Sequence, residues 1–322
     1  MLRPIGYDVR PSDAFNLLPA RGATEGPVAT VRAAFARGSR PLPLADGKMG
    51  SNTLSIIFRT CLKPERLAKA ELRLGSIPIS QIVERCLRSL VASVNLALEL
   101  EANLIINFTV LDDRSDPGFV RMYESMTSHL RCNHRIVQTS IPGQGESLHE
   151  QFSIAAEGEG LYYFCEDDYL HNVRAIFEMH KFYNQIYESS SHHCLIFPQE
   201  HEELYSRSYH PCYLILSPYR HWRSASNATH VFMTHSSVVR GFWNFFEPTK
   251  HVGTGAKRRQ GSERRTTNRI LEHLPGFAPI PGLAGHLQAE HLLPPFFDWR
   301  AIWEANAADE WDVKRAPIDE AD

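Results

Sequence analysis

Apolar positions along the chain change period in a regular alternation. "LSIIFRT" (54–60) is a continuous apolar run of strand length. Ile82, Val83, Cys86, Leu87, Leu90, Val91 and Val94 then recur at spacings of three and four, which predicts a helix with Ser80 as its N-cap. "ANLIINFTVLDD" (102–113) reads as a second buried strand, "GFVRMYESMTSHL" as a helix and "HRIVQTS" as a strand. "SLHEQFSIAA" reads as a helix and "GLYYFCEDD" (160–168) as a strand. Strands that alternate with helices predict an α/β fold, a mostly parallel sheet flanked by helices. Three of these strands end in polar chemistry: Arg59-Thr60, Asp112-Asp113 and Glu166-Asp167-Asp168. Ligands of such sheets bind beyond the carboxyl ends of the strands, so the three ends should meet at one crevice.

After Leu170 the pattern changes. "VRAIFEMHKFYNQIYESS" reads as a helix, "HCLIFPQEHEELY" and "HPCYLILSPY" as strands, and "NATHVFMTHSSVVRGFWNFF" as a strand leading into a helix. A basic stretch, 257–269, carries six basic residues and one acid. The Pro- and Gly-punctuated segment "PIPGLAGHLQAEHLLPPFFDW" reads as loop, and the last twenty residues as a helix and a charged tail. Residues 1–52, rich in Pro, Gly, Ala and Arg, read as a loosely structured extension with one short helix over Val28–Ala36. The organisation is therefore an extension (1–52), two halves of one domain (53–172 and 173–300) and a C-terminal helix and tail (301–322).

Composition narrows the function classes. With 322 residues and 43% hydrophobic content the chain can bury a large core. A net charge of −3 argues against a nucleic-acid binder. Six cysteines are scattered without a CxxC pair, which suits a reducing compartment. His192, His193, Cys194, His210 and Cys212 match no common zinc spacing. The N-terminus lacks the apolar core of a signal peptide, and no run reaches the ~18 apolar residues of a membrane span. A soluble cytoplasmic protein is expected.

The sharpest feature is "LYYFCEDDYL", an apolar strand driven into three consecutive carboxylates. Like charges that close repel, and burying them unpaired is costly. A divalent cation would resolve both problems. The competing reading is a strand that ends in a solvated acidic turn.

Four segments in order, "LSIIFRTCLKPERL", "CLRSLVASV", "FTVLDDRSD" and "GLYYFCEDDYL", resemble the GT-A nucleotide-sugar glycosyltransferases, most closely glycosyltransferase family 2. The resemblance covers roughly residues 54–172, with weaker echoes to about residue 299. Cys61-Leu62 stands where the family more often has an aromatic residue and Asn. The resemblance implies a GT-A domain whose first half (53–172) binds the nucleotide-sugar and whose second half (173–300) faces the acceptor. It implies transfer of a sugar from a nucleoside diphosphate, UDP by default, to a glycan, lipid-linked or small-molecule hydroxyl with inversion. It also implies a Mn2+ or Mg2+ cofactor held by Asp168, with Asp167 or Glu166 at the ribose or at a metal-bound water. Asp113, beside Asp112, would contact base and ribose, although Asp-Asp-Arg-Ser is also good turn chemistry. Arg59 and Thr60 would line the nucleotide pocket.

A histidine from the C-terminal part often completes the metal set in these enzymes. His286 is the first candidate and His291 the second. The catalytic base is expected as a late acid, with Glu263 and Asp298 as candidates and Glu247 left open. Arginines 258, 259, 264 and 265 count against Glu263 by stabilising its charge. The basic stretch reads as a loop closing on the diphosphate, as a peripheral membrane contact, or as a solvated surface loop. Trp222, His221, Trp243 and Phe245 read as an acceptor platform or as core. A nucleotidyltransferase would carry a Gly-rich loop after its first strand, where this chain has "RTCLKPERL". A nucleotide-sugar-binding protein without catalysis is the non-enzyme alternative.

Overall fold

The computed structural model describes residues 15–18, 52–63, 74, 77–200, 212–225, 227, 229–250 and 263–307. The expected helix over Val28–Ala36, residues 257–262 of the basic stretch and the charged tail lie outside the described residues.

The strands are β1 (Phe15–Leu18), β2 (Thr53–Thr60), β3 (Ile105–Asp112), β4 (Asn133–Gln138), β5 (Leu161–Glu166) and β6 (Tyr169–His171). They continue as β7 (Leu195–Ile196), β8 (Cys212–Leu216), β9 (His221–Ala225), β10 (Phe232–His235), β11 (Gly276–Ile280) and β12 (Ala284–His286). The first four helices are α1 (Ile79–Leu100), α2 (Pro117–Thr127), α3 (Gln144–Glu157) and α4 (Ala175–Ser190). Short helices α5 (Ser236–Gly241), α6 (Trp243–Phe246), α7 (Thr267–Ile270) and α8 (Trp299–Ala305) follow.

Ten strands form one sheet in the order β1-β8-β9-β11-β7-β10-β5-β2-β3-β4. The block β4-β3-β2-β5 is parallel throughout, as the alternation of strand and helix requires. β10 then joins β5 antiparallel, and the remaining strands mix both senses. Part of the segment expected to be loose extension pairs in parallel with β8 as β1. The α/β class is as expected.

The apolar stripe of α1 is buried completely at Ile82, Val83, Cys86, Leu87, Leu90, Val91 and Val94. α1 packs on α2, α4 and β6, while α3 packs on β2 and α5. Ser80 is not the N-cap: α1 begins at Ile79, Pro78 takes the cap position and Ser80 lies in the first turn. Proline fixes φ near its helix-entry value and lacks the N–H that a helix start leaves unbonded, so it sets the boundary earlier.

Besides β1, four strands were not expected. β9 carries a mixed polar sequence, β11 includes Pro279, and β6 and β12 have three residues each. β6 and β12 pair antiparallel as a separate ribbon, with His286 opposite Tyr169.

Candidate active site

The carboxyl ends of β2, β3 and β5 meet, and strand alternation decides where each side chain goes. Arg59 and Glu166 are cross-strand partners in register and form an ion pair. Arg59 Nη1 also reaches Ser147 Oγ on α3 at 3.4 Å. Thr60 faces the other side, where its hydroxyl donates to Asp167 Oδ2 at 2.8 Å and lies 3.1 Å from the Tyr123 hydroxyl of α2. The backbone N–H of Cys61 also donates to Asp167 Oδ2, at 3.4 Å. Asp167 is thereby buried and holds the loop that leaves β2.

Adjacent carboxylates on β3 part in the same way. Asp112 is fully buried, and its oxygens accept from Ser115 N at 3.1 Å and from Ser115 Oγ at 2.5 Å. Burial raises its pKa, against the hydrogen bonds from Ser115. The Asp112 oxygens close the Asp-Asp-Arg-Ser turn, with Arg114 at φ 58°. Asp113 accepts from Gly143 N at 3.0 Å and Thr139 Oγ1 at 3.3 Å, and pairs with Lys63 Nζ at 3.3 Å. It ties β3 to the 139–143 loop and places a cation, Lys63, that sequence reading missed.

β6 and β12 complete the site. The His286 ring stacks on Tyr169 with centroids 4.6 Å apart. Its Nε2 lies 3.3 Å from Asp168 Oδ2. The His286 N–H donates to Gln199 Oε1 at 2.9 Å, and Leu287 N–H donates to the Asp168 carbonyl at 2.8 Å. Gln199 was also missed, since a glutamine after a two-residue strand carries no local signal. Among the described residues, Glu166, Asp168 and His286 are the one set of three potential ligands whose donor atoms all lie within 4.8 Å of one another. Two carboxylates and an imidazole suit Mn2+ or Mg2+, and a dication would answer their charge.

The other candidates lie outside this set of three. Glu263 opens a 3-10 turn, Glu263–Arg265, and its Oε1 faces His230 Nδ1 at 3.5 Å. Asp298 is the N-cap of α8, where its Oδ1 accepts from Ala301 N at 3.1 Å on the exposed surface. Exposed Glu247 pairs with Lys250 at 2.9 Å, and this partner lowers its pKa. His291 is exposed in a separate 3-10 turn. Of the two readings for Trp222, the core one holds: it is 1% exposed and stacked on Phe182 at 4.1 Å. Trp243 and Phe245 pack against the core, and His221 is exposed. Glu200 is buried beside Gln199, and desolvation lifts its pKa to about 7. In the rejected zinc grouping, His193 Nδ1 lies 2.7 Å from the Tyr183 hydroxyl and its Nε2 3.1 Å from Ser237 Oγ. No helix among the described residues is long and apolar enough to cross a membrane.

No family model and no curated protein sequence matches the chain. Solved structures do show likeness. S. aureus TarS 1–349 in complex with UDP-GlcNAc is similar at 13% identity and a TM-score of 0.41, over 70% of this chain and 55% of that one. A mannosyltransferase from Pyrobaculum calidifontis, in complex with GDP-Man and Mn2+, is similar at 14% identity and a TM-score of 0.31, over 55% and 44%. A UDP-glucose pyrophosphorylase complexed with UDP-glucose is similar at 11% identity and a TM-score of 0.39, over 74% and 94%. The aligned region spans 35% of the longer TarS structure.

Proposed function

We propose that this protein is a metal-dependent glycosyltransferase that moves a sugar from a nucleoside-diphosphate donor, a UDP-sugar before others, to a hydroxyl of a glycan, lipid-linked or small-molecule acceptor. The observation that supports it is the convergence of Glu166, Asp168 and His286 at the carboxyl ends of parallel strands, where this sheet class places its ligands. Arg59 and Lys63 stand at the same strand ends. Inversion follows from the family resemblance.

Asp168 and His286 hold the cation, with Glu166 as third ligand or as a contact to the nucleotide. A divalent ion there would act as a Lewis acid that neutralises the departing diphosphate. The acceptor oxygen attacks the anomeric carbon, and the bond from that carbon to the diphosphate oxygen breaks. The electron pair leaves with the diphosphate. Glu263 receives the acceptor's proton as general base. Arg59 and Lys63 orient the anionic donor.

The test is thermal stability with UDP, GDP or dTDP, in Mn2+ or in EDTA, for wild type and Asp168→Ala. A metal-dependent rise with one nucleotide, absent in Asp168→Ala, is expected and names the base. Release of nucleoside diphosphate from a matching sugar donor separates an enzyme from a binding protein. No rise with any nucleotide would overturn the proposal.

A further inference from the structure

His230 is nearly sealed from solvent, yet both of its ring nitrogens are engaged by one short turn. Nε2 lies 3.1 Å from Thr266 Oγ1, and Nδ1 faces Glu263 Oε1 at 3.5 Å. Thr266 is fully buried, and its N–H donates to the Glu263 carbonyl at 3.2 Å, so the imidazole spans the two ends of a single turn. The chain beside His230 is joined to the same region a second time, because Asn268 Nδ2 donates to Asn227 Oδ1 at 2.6 Å. On its other side the ring meets the edge of Phe152 on α3, with centroids 6.2 Å apart.

We infer that His230 is the positioning residue for Glu263, fixing the carboxylate's orientation toward the acceptor hydroxyl. This rests on the glycosyltransferase reading and on Glu263 as base. Three features carry it. Glu263 sits on a three-residue turn whose own backbone bonds cannot aim a flexible side chain. A general base gains its effect only when held within reach of the proton it takes. An imidazole tied to Thr266 at 3.1 Å and facing Glu263 at 3.5 Å supplies such an anchor from a rigid strand entry, since β10 begins two residues later.

Burial lowers the pKa of His230; the charges of Glu263 and Glu166 oppose the fall and that of Arg59 adds to it. Burial thus favours the neutral ring, which carries one N–H. In the tautomer where Thr266 O–H donates to Nε2, the proton on Nδ1 would face Glu263 Oε1 and leave the other carboxylate oxygen for the acceptor.

The two amide substitutions divide the ring's contacts. The Asn amide reaches the place of Nδ1 and can keep the contact to Glu263. The Gln amide reaches the place of Nε2 and can keep only the bond to Thr266. The assay is release of nucleoside diphosphate from UDP-glucose, UDP-N-acetylglucosamine and GDP-mannose, using the donor that wild type cleaves fastest with water as acceptor. His230→Gln is expected to lower kcat roughly 100-fold, the scale of a displaced general base, with donor KM within about twofold. His230→Asn is expected to stay within about tenfold of wild type. Equal losses, a milder His230→Gln, or lowered melting temperatures with kcat unchanged would overturn the positioning role. In those cases the metal-dependent nucleotide shift of wild type leaves the donor reading standing. Absence of that shift in wild type would remove the donor reading and the positioning role together.

Discussion

His286 Nε2 stands 3.3 Å from Asp168 Oδ2, and the ribbon of β6 and β12 brings the two residues together from distant parts of the chain. A cation between them would tie β12 to the end of β5. Ligand that binds only the folded state stabilises it by RT ln(1 + [L]/Kd), about 2.7 kcal/mol at a hundredfold excess. His286→Ala and Asp168→Ala should each remove most of the Mn2+-dependent part of a nucleotide's stabilisation while leaving the metal-free protein folded. Melting curves with UDP in Mn2+ and in EDTA check this, and an unchanged metal effect in His286→Ala would place the cation elsewhere.

The two acids assigned as base differ in their present tasks. Asp298 Oδ1 caps α8, whereas Glu263 faces His230. Asp298→Ala should cost about 1 kcal/mol, the usual loss of an N-cap, and leave donor cleavage intact. Glu263→Gln should preserve stability and metal-dependent nucleotide binding while lowering cleavage roughly 100-fold or more. Urea midpoints and nucleotide release on the same preparations decide it, and the opposite pattern would move the base to Asp298.

Two buried imidazoles predict loss of stability in acid. Burial lowers the pKa of His171 to about 3, and burial with the nearby His235 lowers that of His193 to about 3. In the unfolded chain both titrate near 6.5. Between about pH 6.5 and 3 the unfolded state therefore binds protons that the folded state refuses, and stability falls as pH falls. The slope reaches at most about 1.4 kcal/mol per pH unit for each ring. Urea midpoints at pH 7.5 and 5.0 should differ strongly in wild type and less in His171→Gln, whose amide can still meet the Tyr163 hydroxyl, now 2.8 Å from His171 Nε2. Equal wild-type midpoints would mean that these rings are not held neutral.

Most elements from β2 to β5 could be read locally because they bury a face with its own period: α1 buries every position of its apolar stripe, whereas β4 has no buried position. The meeting of the strand ends could be read because parallel strands carry their ends to one side, and Arg59, Asp113, Glu166 and Asp168 lie at those ends. Which of two adjacent acids turns inward could not be read. Asp112 and Asp113 differ only by strand alternation and by the bonds from Ser115 that close the turn. The ribbon was illegible for another reason: three-residue strands have no period, and their pairing depends on distant chain. Platform and core could not be told apart for Trp222 because surface and core tryptophans look alike in sequence; an inward position on β9, between β8 and β11, buries it. Lys63, Gln199 and His230 reach the site through long-range contacts that no neighbouring residue announces.

Gly285 tests whether the ribbon itself holds the metal set. It is the middle residue of β12, opposite Leu170. A Cβ there would lie 2.7 Å from Phe297 Cε1 and 2.9 Å from Leu293 Cδ2, closer than packed atoms tolerate. Gly285→Ala should therefore push β12 from its seat at a cost of about 1–3 kcal/mol, the usual range for overpacking. Because His286 is the next residue, the shift should weaken Mn2+-dependent nucleotide stabilisation without altering any ligand atom. Adding Phe297→Ala removes the nearest obstacle and should restore the metal response, even though the double variant loses packing area and melts below wild type. Metal-dependent melting of the single and double variants reads both effects. A wild-type metal response in Gly285→Ala, despite a lowered melting temperature, would show that His286 is held by Gln199 and Tyr169 rather than by the seat of the strand.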